Sequence, residues 1–141
     1  MHHVAIMKKS WGLIPKIISR QKTIESRWYQ TRRAPWNKIK IDDAVFFKNS
    51  GEEITAKASV CKVVQFEIHT ITDIVKIIKK YGERICLIND NPRTWKRLAK
   101  YCILIFLKNP KKIKPFAIDK KGFGMSNAWI TLPNIKNIQK R

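Results

Sequence analysis

The feature that most constrains the fold is a long alternating pattern of apolar residues between positions 54 and 68. Every second residue is apolar except Lys62, in the order Ile54, Ala56, Ala58, Val60, Val64, Phe66 and Ile68. Successive side chains of a strand point to opposite faces of the sheet, so this spacing predicts one strand with seven apolar side chains on the same face. A strand of this length is expected to bend. The pattern therefore favours a small β-barrel over a flat sheet.

The remaining patterns predict a single α+β domain that covers residues 1–141. β-Branched and aromatic residues predict further strands at 4–7, 22–29, 44–47, 101–107 and 128–132. Apolar residues at helical spacing predict a helix over 12–19 and a second helix that begins with a Thr70/Asp73 capping box and ends at Gly82. Pro110 is expected to end the fifth strand. Residues 94–100 are expected to form a short helix or an irregular basic segment.

The charge of the chain indicates an anionic partner. The formal net charge is +20, and it is unevenly distributed, with +9 over residues 8–40, −1 over 41–90 and +12 over 91–141. If the fold brings the first and last thirds together, they form one basic face suited to the phosphates of a nucleic acid. We expect RNA or a nucleoside as the partner, with DNA as an open alternative. The oligomeric state is not indicated.

The cysteine and histidine residues do not indicate a metal site or a cofactor. The three cysteines are an odd number and lie far apart, which argues against a disulfide framework and against a zinc knuckle. His2 and His3 are expected to lie in a frayed terminus, and no pattern of acidic residues completes a site with His69. The longest apolar run, residues 101–107, is too short to cross a membrane. We therefore expect a soluble, cytoplasmic protein without metal or cofactor.

The strongest functional signal is the stretch R-Q-K-T-I-E-S-R-W-Y, residues 20–29. Alternation predicts that Glu25 and Arg27 share one face of a strand while Trp28 faces the core. A cation, an acid and a guanidinium close together suit an anionic or planar ligand. The candidate ligand-binding residues are Lys22, Glu25, Arg27, Tyr29, Arg32, Arg33 and Trp36. Tyr29 and Trp36 are candidates to stack on bases, and Arg32 and Arg33 are expected to contact phosphates because they lie in a polar loop without nearby acids.

The same stretch resembles the signature of the ASCH domain, a branch of the PUA-like superfamily, which reads Gly-x-Lys-x-x-Glu-x-Arg. Lys22, Glu25 and Arg27 match this signature, whereas Arg20 stands at the glycine position, where a Cβ disfavours the left-handed conformation. Residues 115–130 also resemble the closing strands of the family. The resemblance implies an α+β, PUA-like small β-barrel of about five or six mostly antiparallel strands flanked by two or three helices. It also implies a cleft for RNA or a nucleoside over the signature strand.

The resemblance leaves more than one function open. Some relatives are acetylcytidine amidohydrolases that place a threonine nucleophile where this chain has Glu25, others are metal-assisted ribonucleases, and many are binding modules. The first hypothesis is a binding module for RNA or a modified nucleoside. The second is a hydrolase that uses Lys22 and Glu25 as catalytic residues, with Ser126 and Asn127 as further candidates near the cleft. A domain that binds an acidic protein is a third possibility. On simpler interpretations, Lys22 is a solvated lysine and Glu25 and Arg27 are a surface ion pair.

Overall fold

The computed structural model describes residues 1–87, 99–124 and 127–140. Its strands are β1 (His2–Met7), β2 (Ile24–Tyr29), β3 (Ala44–Asn49), β4 (Ile54–Glu67), β5 (Tyr101–Phe116) and β6 (Trp129–Leu132). Its α-helices are α1 (Leu13–Ile18) and α2 (Ile71–Ile85). Single 3-10 turns lie at Lys9–Trp11 and Ile135–Asn137.

The six strands form one curled sheet in the order β2-β5-β4-β3-β1-β6. The β1 and β3 strands are parallel, and the other neighbouring pairs are antiparallel. The edge strand β2 approaches the opposite edge of the sheet, because Arg27 donates hydrogen bonds to the carbonyl oxygens of Ile6 in β1 and Ala128 just before β6. The predicted α+β barrel of mostly antiparallel strands with flanking helices is therefore confirmed.

Among the described residues, the buried apolar side chains form three clusters. The interior cluster lies inside the curl against α1 and contains, among others, Ile17, Phe47, Val60, Ile103 and Trp129. The α2 cluster lies between α2 and the outer face of β2 and β5, and includes Ile24, Ile74, Cys102 and Leu104. The C-terminal cluster lies between β1, β3 and the last segment of the chain, and includes Val4, Phe46, Ile118 and Ile135.

The prediction that all apolar residues of 54–68 share one face is wrong, because β4 contains bulges. Val60 pairs with Leu107 and Lys62 pairs with Phe106, so Cys61 has no partner residue in β5. One extra residue exchanges the two faces of every residue that follows. Val60 and Val63 accordingly pack in the interior cluster, whereas Val64 and Phe66 pack in the α2 cluster. The strand bends, as expected, and it contributes side chains to all three clusters, since Ile54 at its start packs in the C-terminal cluster.

The predicted start of α2 is confirmed, and its predicted end is wrong. The side chains of Thr70 and Asp73 form the capping box. The helix continues through Gly82 to Ile85 and ends at Cys86, which adopts a left-handed conformation with φ 56°. Gly82 is tolerated inside the helix, since the cost of about 1 kcal/mol is small beside the burial of Ile85 that the extra turn provides.

The prediction that Pro110 ends the fifth strand is also wrong, because β5 runs from Tyr101 to Phe116. The ladder between β2 and β5 ends at Phe106, followed by one hydrogen bond from the N–H of Leu107 to the carbonyl of Thr23 at 2.9 Å. Beyond that point no described strand pairs with this side of β5. On the other side the register with β4 shifts between Lys57 and Ser59, opposite Asn109 and Pro110. A proline is compatible with a strand at an edge or a bulge because its missing N–H is not needed there.

Within the described ranges, neither helix is both long and apolar enough to cross a membrane. Of the segment 94–100, residues 94–98 lie outside the described residues.

Candidate functional site

The chain enters β2 through a tight reversal at the end of α1. Arg20 adopts the left-handed conformation with φ 68°, although it carries a Cβ. The N–H of Lys22 then donates to the carbonyl of Lys16 at 2.9 Å, which folds the chain back along the helix. Arg20 thus adopts the type of conformation that the signature glycine favours, at a cost of about 1 kcal/mol.

Alternation along β2 separates two sets of side chains, as predicted. Ile24 is buried in the α2 cluster, where Trp28 also packs. Tyr29, on the opposite face, packs against the interior cluster, and Glu25 and Arg27 share its face. The Glu25 and Arg27 side chains lie next to each other, with 3.6 Å between Oε2 and Nη2.

Lys22 is buried, with 2% of its surface exposed. Its ammonium donates to the carbonyl oxygen of Ile24 at 2.9 Å and to the carbonyl oxygen of Ile85 at the end of α2. Its Nζ also lies 3.6 Å from Oε1 of Glu25. Burial lowers the pKa of Lys22 below its usual value, and the attraction of Glu25 offsets only part of this effect. Lys22 is therefore not the solvated lysine of the simpler interpretation; it joins β2, α2 and Glu25.

Glu25 is 4% exposed, and its two carboxylate oxygens have different surroundings. Oε1 accepts a hydrogen bond from the N–H of Ser26 at 3.0 Å and faces Lys22. Oε2 is buried and accepts no hydrogen bond from any residue that the structure describes, since Arg27 Nη2 lies at 3.6 Å. A buried carboxylate oxygen without a donor is unfavourable, so Oε2 is an acceptor suited to a donor from a ligand.

Arg27 connects the two edges of the curled sheet. Its Nη1 donates to the carbonyl of Ala128 at 3.2 Å, and its Nη2 lies 3.4 Å from the carbonyl of Ile6. The guanidinium carbon lies 5.0 Å from the centre of the Trp129 ring, within the range of a cation–π contact. We call this junction between β2 and the opposite edge, where Arg27 meets Ile6 and Ala128, the seam. Glu25 and Arg27 lie along it.

The predicted stacking residues form a separate group beside the seam. The guanidinium of Arg33 lies 5.0 Å over the ring of Tyr29. The rings of Trp36 and Tyr101 meet edge to face at 5.0 Å, and the guanidinium of Arg32 lies 5.4 Å over Tyr101. Burial raises the pKa of Tyr29, and the charges of Arg27 and Arg33 oppose this effect.

The prediction that Arg32 has no acid nearby is wrong. Its Nη2 lies 2.9 Å from Oε1 of Glu67 at the end of β4. The same loop is tied to β4 by Asn37 and Gln65, whose side-chain amides are joined at 2.8 Å. Sequence reasoning missed Tyr101, Glu67 and Trp129 as members of the site. Each comes from a different strand, so no local pattern could have shown their proximity to β2.

The two N-terminal histidines are ordered, contrary to the expectation of a frayed terminus. His3 is fully buried in β1, and its Nε2 lies 2.8 Å from Oδ2 of Asp43. Its Nδ1 accepts a hydrogen bond from the indole N–H of Trp129 at 3.2 Å. This contact places the ring proton on Nε2, where it is donated to Asp43. Burial lowers the pKa of His3, and the hydrogen bond and charge of Asp43 oppose this effect. Among the described residues, no group of three potential metal ligands was found.

The candidates near the Gly-rich turn have different outcomes. Ser126 lies outside the described residues. Asn127 uses its side chain within the turn, donating to the carbonyl of Phe123 at 3.2 Å and accepting from the N–H of Trp129 at 3.3 Å. Its amide therefore positions the start of β6.

Comparison with known proteins identifies the architecture. No family model and no curated protein sequence matches the chain. The crystal structure of a tyrosine-to-phenylalanine mutant of an ASCH protein from Zymomonas mobilis is 17% identical, with a TM-score of 0.71 over 96% of this chain and 93% of that one. The crystal structure of a serine-to-alanine mutant of ASCH from Zymomonas mobilis is also 17% identical, with a TM-score of 0.71 over 96% of this chain and 91% of that one. A further crystal structure of ASCH from Zymomonas mobilis is 16% identical, with a TM-score of 0.68 over 99% of this chain and 96% of that one. The chain therefore has the fold of these ASCH structures, an α+β barrel.

Proposed function

We propose that this protein is a binding module for RNA or a modified nucleoside, and that the ligand base enters the seam over the strand of Lys22, Glu25 and Arg27. The observation that carries the proposal is the buried Oε2 of Glu25, which accepts no hydrogen bond from a described residue. A carboxylate at the edge of a base accepts from an amino group such as N4 of cytosine. Lys22 and Ser26 hold the other oxygen, so the carboxylate is oriented before the ligand arrives.

The surroundings of the seam are suited to the rest of a nucleotide. The net charge of +20 favours a polyanion over a neutral ligand. Arg33 is exposed and carries a guanidinium over Tyr29, where it can contact a phosphate at the entrance. Trp36 is half-buried and presents an aromatic surface to a neighbouring base, a contact worth about 1–3 kcal/mol. Arg32 already forms an ion pair with Glu67, so it is a weaker phosphate contact than Arg33.

Binding should be measured with a short single-stranded RNA and with a panel of nucleosides that includes cytidine and acetylcytidine, at low and high salt. Glu25→Gln replaces an accepting oxygen by an amide. It should weaken binding of the preferred nucleoside by about 1–3 kcal/mol, or roughly 5- to 150-fold in affinity. Glu53→Gln is the matched control, since it makes the same change of charge at an exposed turn. A single-stranded DNA of the same sequence tests whether the 2′-hydroxyl is read.

Three results would refute the proposal. One is the absence of binding to RNA and to every nucleoside of the panel. The second is RNA binding that does not change with salt, because phosphate contacts must release counterions. The third is equal affinity of Glu25→Gln and Glu53→Gln for every ligand, which would remove Glu25 from the site.

A hydrolase acting on RNA or a modified nucleoside is the second candidate, favoured by one observation. Burial lowers the pKa of Lys22, and a lysine with a lowered pKa is a better general base. Its ammonium protons are, however, already directed at two backbone carbonyls and at Glu25. The natural protein would then cleave RNA or deacetylate acetylcytidine. Loss of this activity in a folded Lys22→Met variant would support the hydrolase. Ligand binding without turnover in the natural protein would support the binding module.

A further inference from the structure

A chain of side-chain contacts leads from His3 in β1 through Trp129 to the seam. The indole N–H of Trp129 donates to Nδ1 of His3 at 3.2 Å. The guanidinium carbon of Arg27 lies 5.0 Å from the centre of the Trp129 ring, and Nη2 of Arg27 lies 3.6 Å from Oε2 of Glu25. His3 is fully buried and Trp129 is 1% exposed, so both rings are shielded from solvent. His3 is therefore linked through two side chains to the carboxylate oxygen proposed to receive the base.

The orientation of the Trp129 ring depends on this hydrogen bond. The indole has one donor and no acceptor, and leaving that donor unpaired inside the protein costs free energy. The orientation that brings the N–H to His3 is therefore favoured. A cation–π contact needs the cation over the face of the ring, so the same orientation fixes where the guanidinium of Arg27 is held. Arg27 also donates to the carbonyl of Ala128, the residue before Trp129, so a displaced Trp129 would affect both contacts.

The Nδ1 atom of His3 has a second neighbour, the hydroxyl oxygen of Thr131 at 3.1 Å. A hydroxyl can donate or accept a hydrogen bond, whereas the indole N–H of Trp129 can only donate. In the neutral ring with its proton on Nε2, Nδ1 accepts from Trp129. In the protonated ring Nδ1 is a donor, which Thr131 can accept and Trp129 cannot. Protonation of His3 thus removes the hydrogen-bond partner of the Trp129 indole.

Asp43 lies on the other side of the His3 ring. Its Oδ2 is 2.8 Å from Nε2 of His3, and its Oδ1 is 3.3 Å from the amino group of Met1. Burial lowers the pKa of His3 and is the largest influence; Asp43 opposes it, and the charges of the Met1 amino group and His2 add to it. Protonation of His3 therefore takes place below its ordinary value of 6.5.

We propose that His3 is a positioning residue for the seam, which accepts the indole N–H of Trp129, holds that ring against Arg27 and thereby sets where Arg27 meets the ligand. This inference rests on the proposed function for the identity of the ligand, RNA or a nucleoside. It adds that ligand binding weakens when His3 is protonated. The position of the Trp129 ring is a property of the protein without ligand, so it is tested separately.

Two substitutions separate the two contacts of His3. The amide of asparagine reaches about as far as Nδ1, so His3→Asn keeps an acceptor for Trp129 and loses the bond to Asp43. The amide of glutamine reaches about as far as Nε2, so His3→Gln keeps a partner for Asp43 and loses the acceptor for Trp129. A labelled single-stranded RNA should bind roughly two- to tenfold more weakly to His3→Gln than to His3→Asn at neutral pH. Equal affinity of the two variants would overturn the positioning role.

Two further variants control for other effects on binding. Trp129→Phe keeps an aromatic ring for Arg27 and has no N–H for His3, so His3→Gln should cause no further loss of RNA affinity in the Trp129→Phe background. Losses that add in full would contradict the inference. His69→Gln removes a histidine at an exposed position and should bind RNA as the natural protein does.

The pH dependence of RNA binding gives a readout of opposite sign to a simple charge effect. An added positive charge on a histidine strengthens binding to a polyanion. The positioning role instead predicts that the affinity of the natural protein falls as pH drops below 6.5, and that the fall is smaller in His3→Asn, which does not titrate. The same pH profile in the two proteins would refute the inference.

Nuclear magnetic resonance of the protein without ligand separates this inference from the proposed function. The indole N–H signal of Trp129 and the side-chain N–H signal of Arg27 should shift together with pH, and His3→Asn should lose both shifts. A shift at Trp129 without one at Arg27 would refute the positioning role. Joint shifts in a protein that binds neither RNA nor any nucleoside would support the positioning role and refute the proposed function. RNA binding without joint shifts would refute the positioning role alone.

Discussion

The buried ammonium of Lys22 gives the sharpest prediction about stability. Lys22→Met keeps an unbranched side chain of similar length, so no large cavity is expected. The change removes the donor to the Ile24 and Ile85 carbonyls and leaves Glu25 without its lysine. Removing one partner of a buried ion pair costs about 3–5 kcal/mol, and each unsatisfied buried acceptor about 1–3 kcal/mol. Because these contributions overlap, we expect a loss of about 3–5 kcal/mol in the free energy of unfolding.

Urea denaturation followed by circular dichroism measures this loss, with Lys79→Met on the exposed side of α2 as the control. The control should lie within about 0.5 kcal/mol of the natural protein. In the double variant Lys22→Met/Glu25→Gln the carboxylate charge is also absent. Its loss should therefore be at least about 1 kcal/mol smaller than the sum of the two single losses.

The pH dependence of stability provides an independent check on Lys22. Burial lowers its folded pKa below the ordinary value of 10.5, so the unfolded chain binds more protons just below pH 10.5. Stability from this group therefore increases as pH rises through that window, and Lys22→Met should lack this increase. Three results would each refute the reasoning. One is a loss below about 1 kcal/mol in the free energy of unfolding of Lys22→Met. The others are losses in the double variant that equal the sum of the two single losses, and a stability of Lys22→Met that depends on pH in the same way as that of the natural protein.

Three smaller predictions concern the rest of the site. Arg20→Gly should stabilise the protein by about 0.5 kcal/mol, because relief of the left-handed conformation exceeds the added freedom of the unfolded chain; a loss in thermal denaturation would contradict this. Burial lowers the pKa of His3 below 6.5, so stability should fall as pH drops below that value, and His3→Gln should reduce this dependence in urea titrations at several pH values. Arg32→Ala should cost less than about 1 kcal/mol in the same assay, because its pair with Glu67 is exposed; a larger loss would show that its contact with Tyr101 is structural.

The parts of the fold that depend on neighbouring residues could be predicted from the sequence. The capping box of Thr70 and Asp73 needs residues three positions apart, and the two faces of β2 follow from its alternation. The end of α2 could not be predicted, because Gly82 is a common helix terminator while Cys86 is not. What extends the helix is the burial of Ile85 against the sheet, which is a tertiary effect.

The candidate site could be predicted only in part, because only some of its contacts join residues that are close in sequence. The pattern of Lys22, Glu25 and Arg27 is local, and the structure brings these three side chains together. Their other partners are distant in sequence, since Ile85 is 63 residues from Lys22 and Ala128 is 101 residues from Arg27. The acid that pairs with Arg32 likewise lies 35 residues away. The order of strands in the sheet determines such contacts, and no spacing within one segment encodes that order.

The bulge at Cys61 makes β4 respond differently to two kinds of mutation. Cys61 is exposed and has no partner in β5, so replacing it by another polar residue changes little. Deleting it would join Val60 directly to Lys62 and would put the following side chains on the opposite faces. Val64 and Phe66 would then point away from α2, and the position of Val63 would lose its place in the interior cluster. At this position, the length of the chain is under stronger constraint than the identity of the residue.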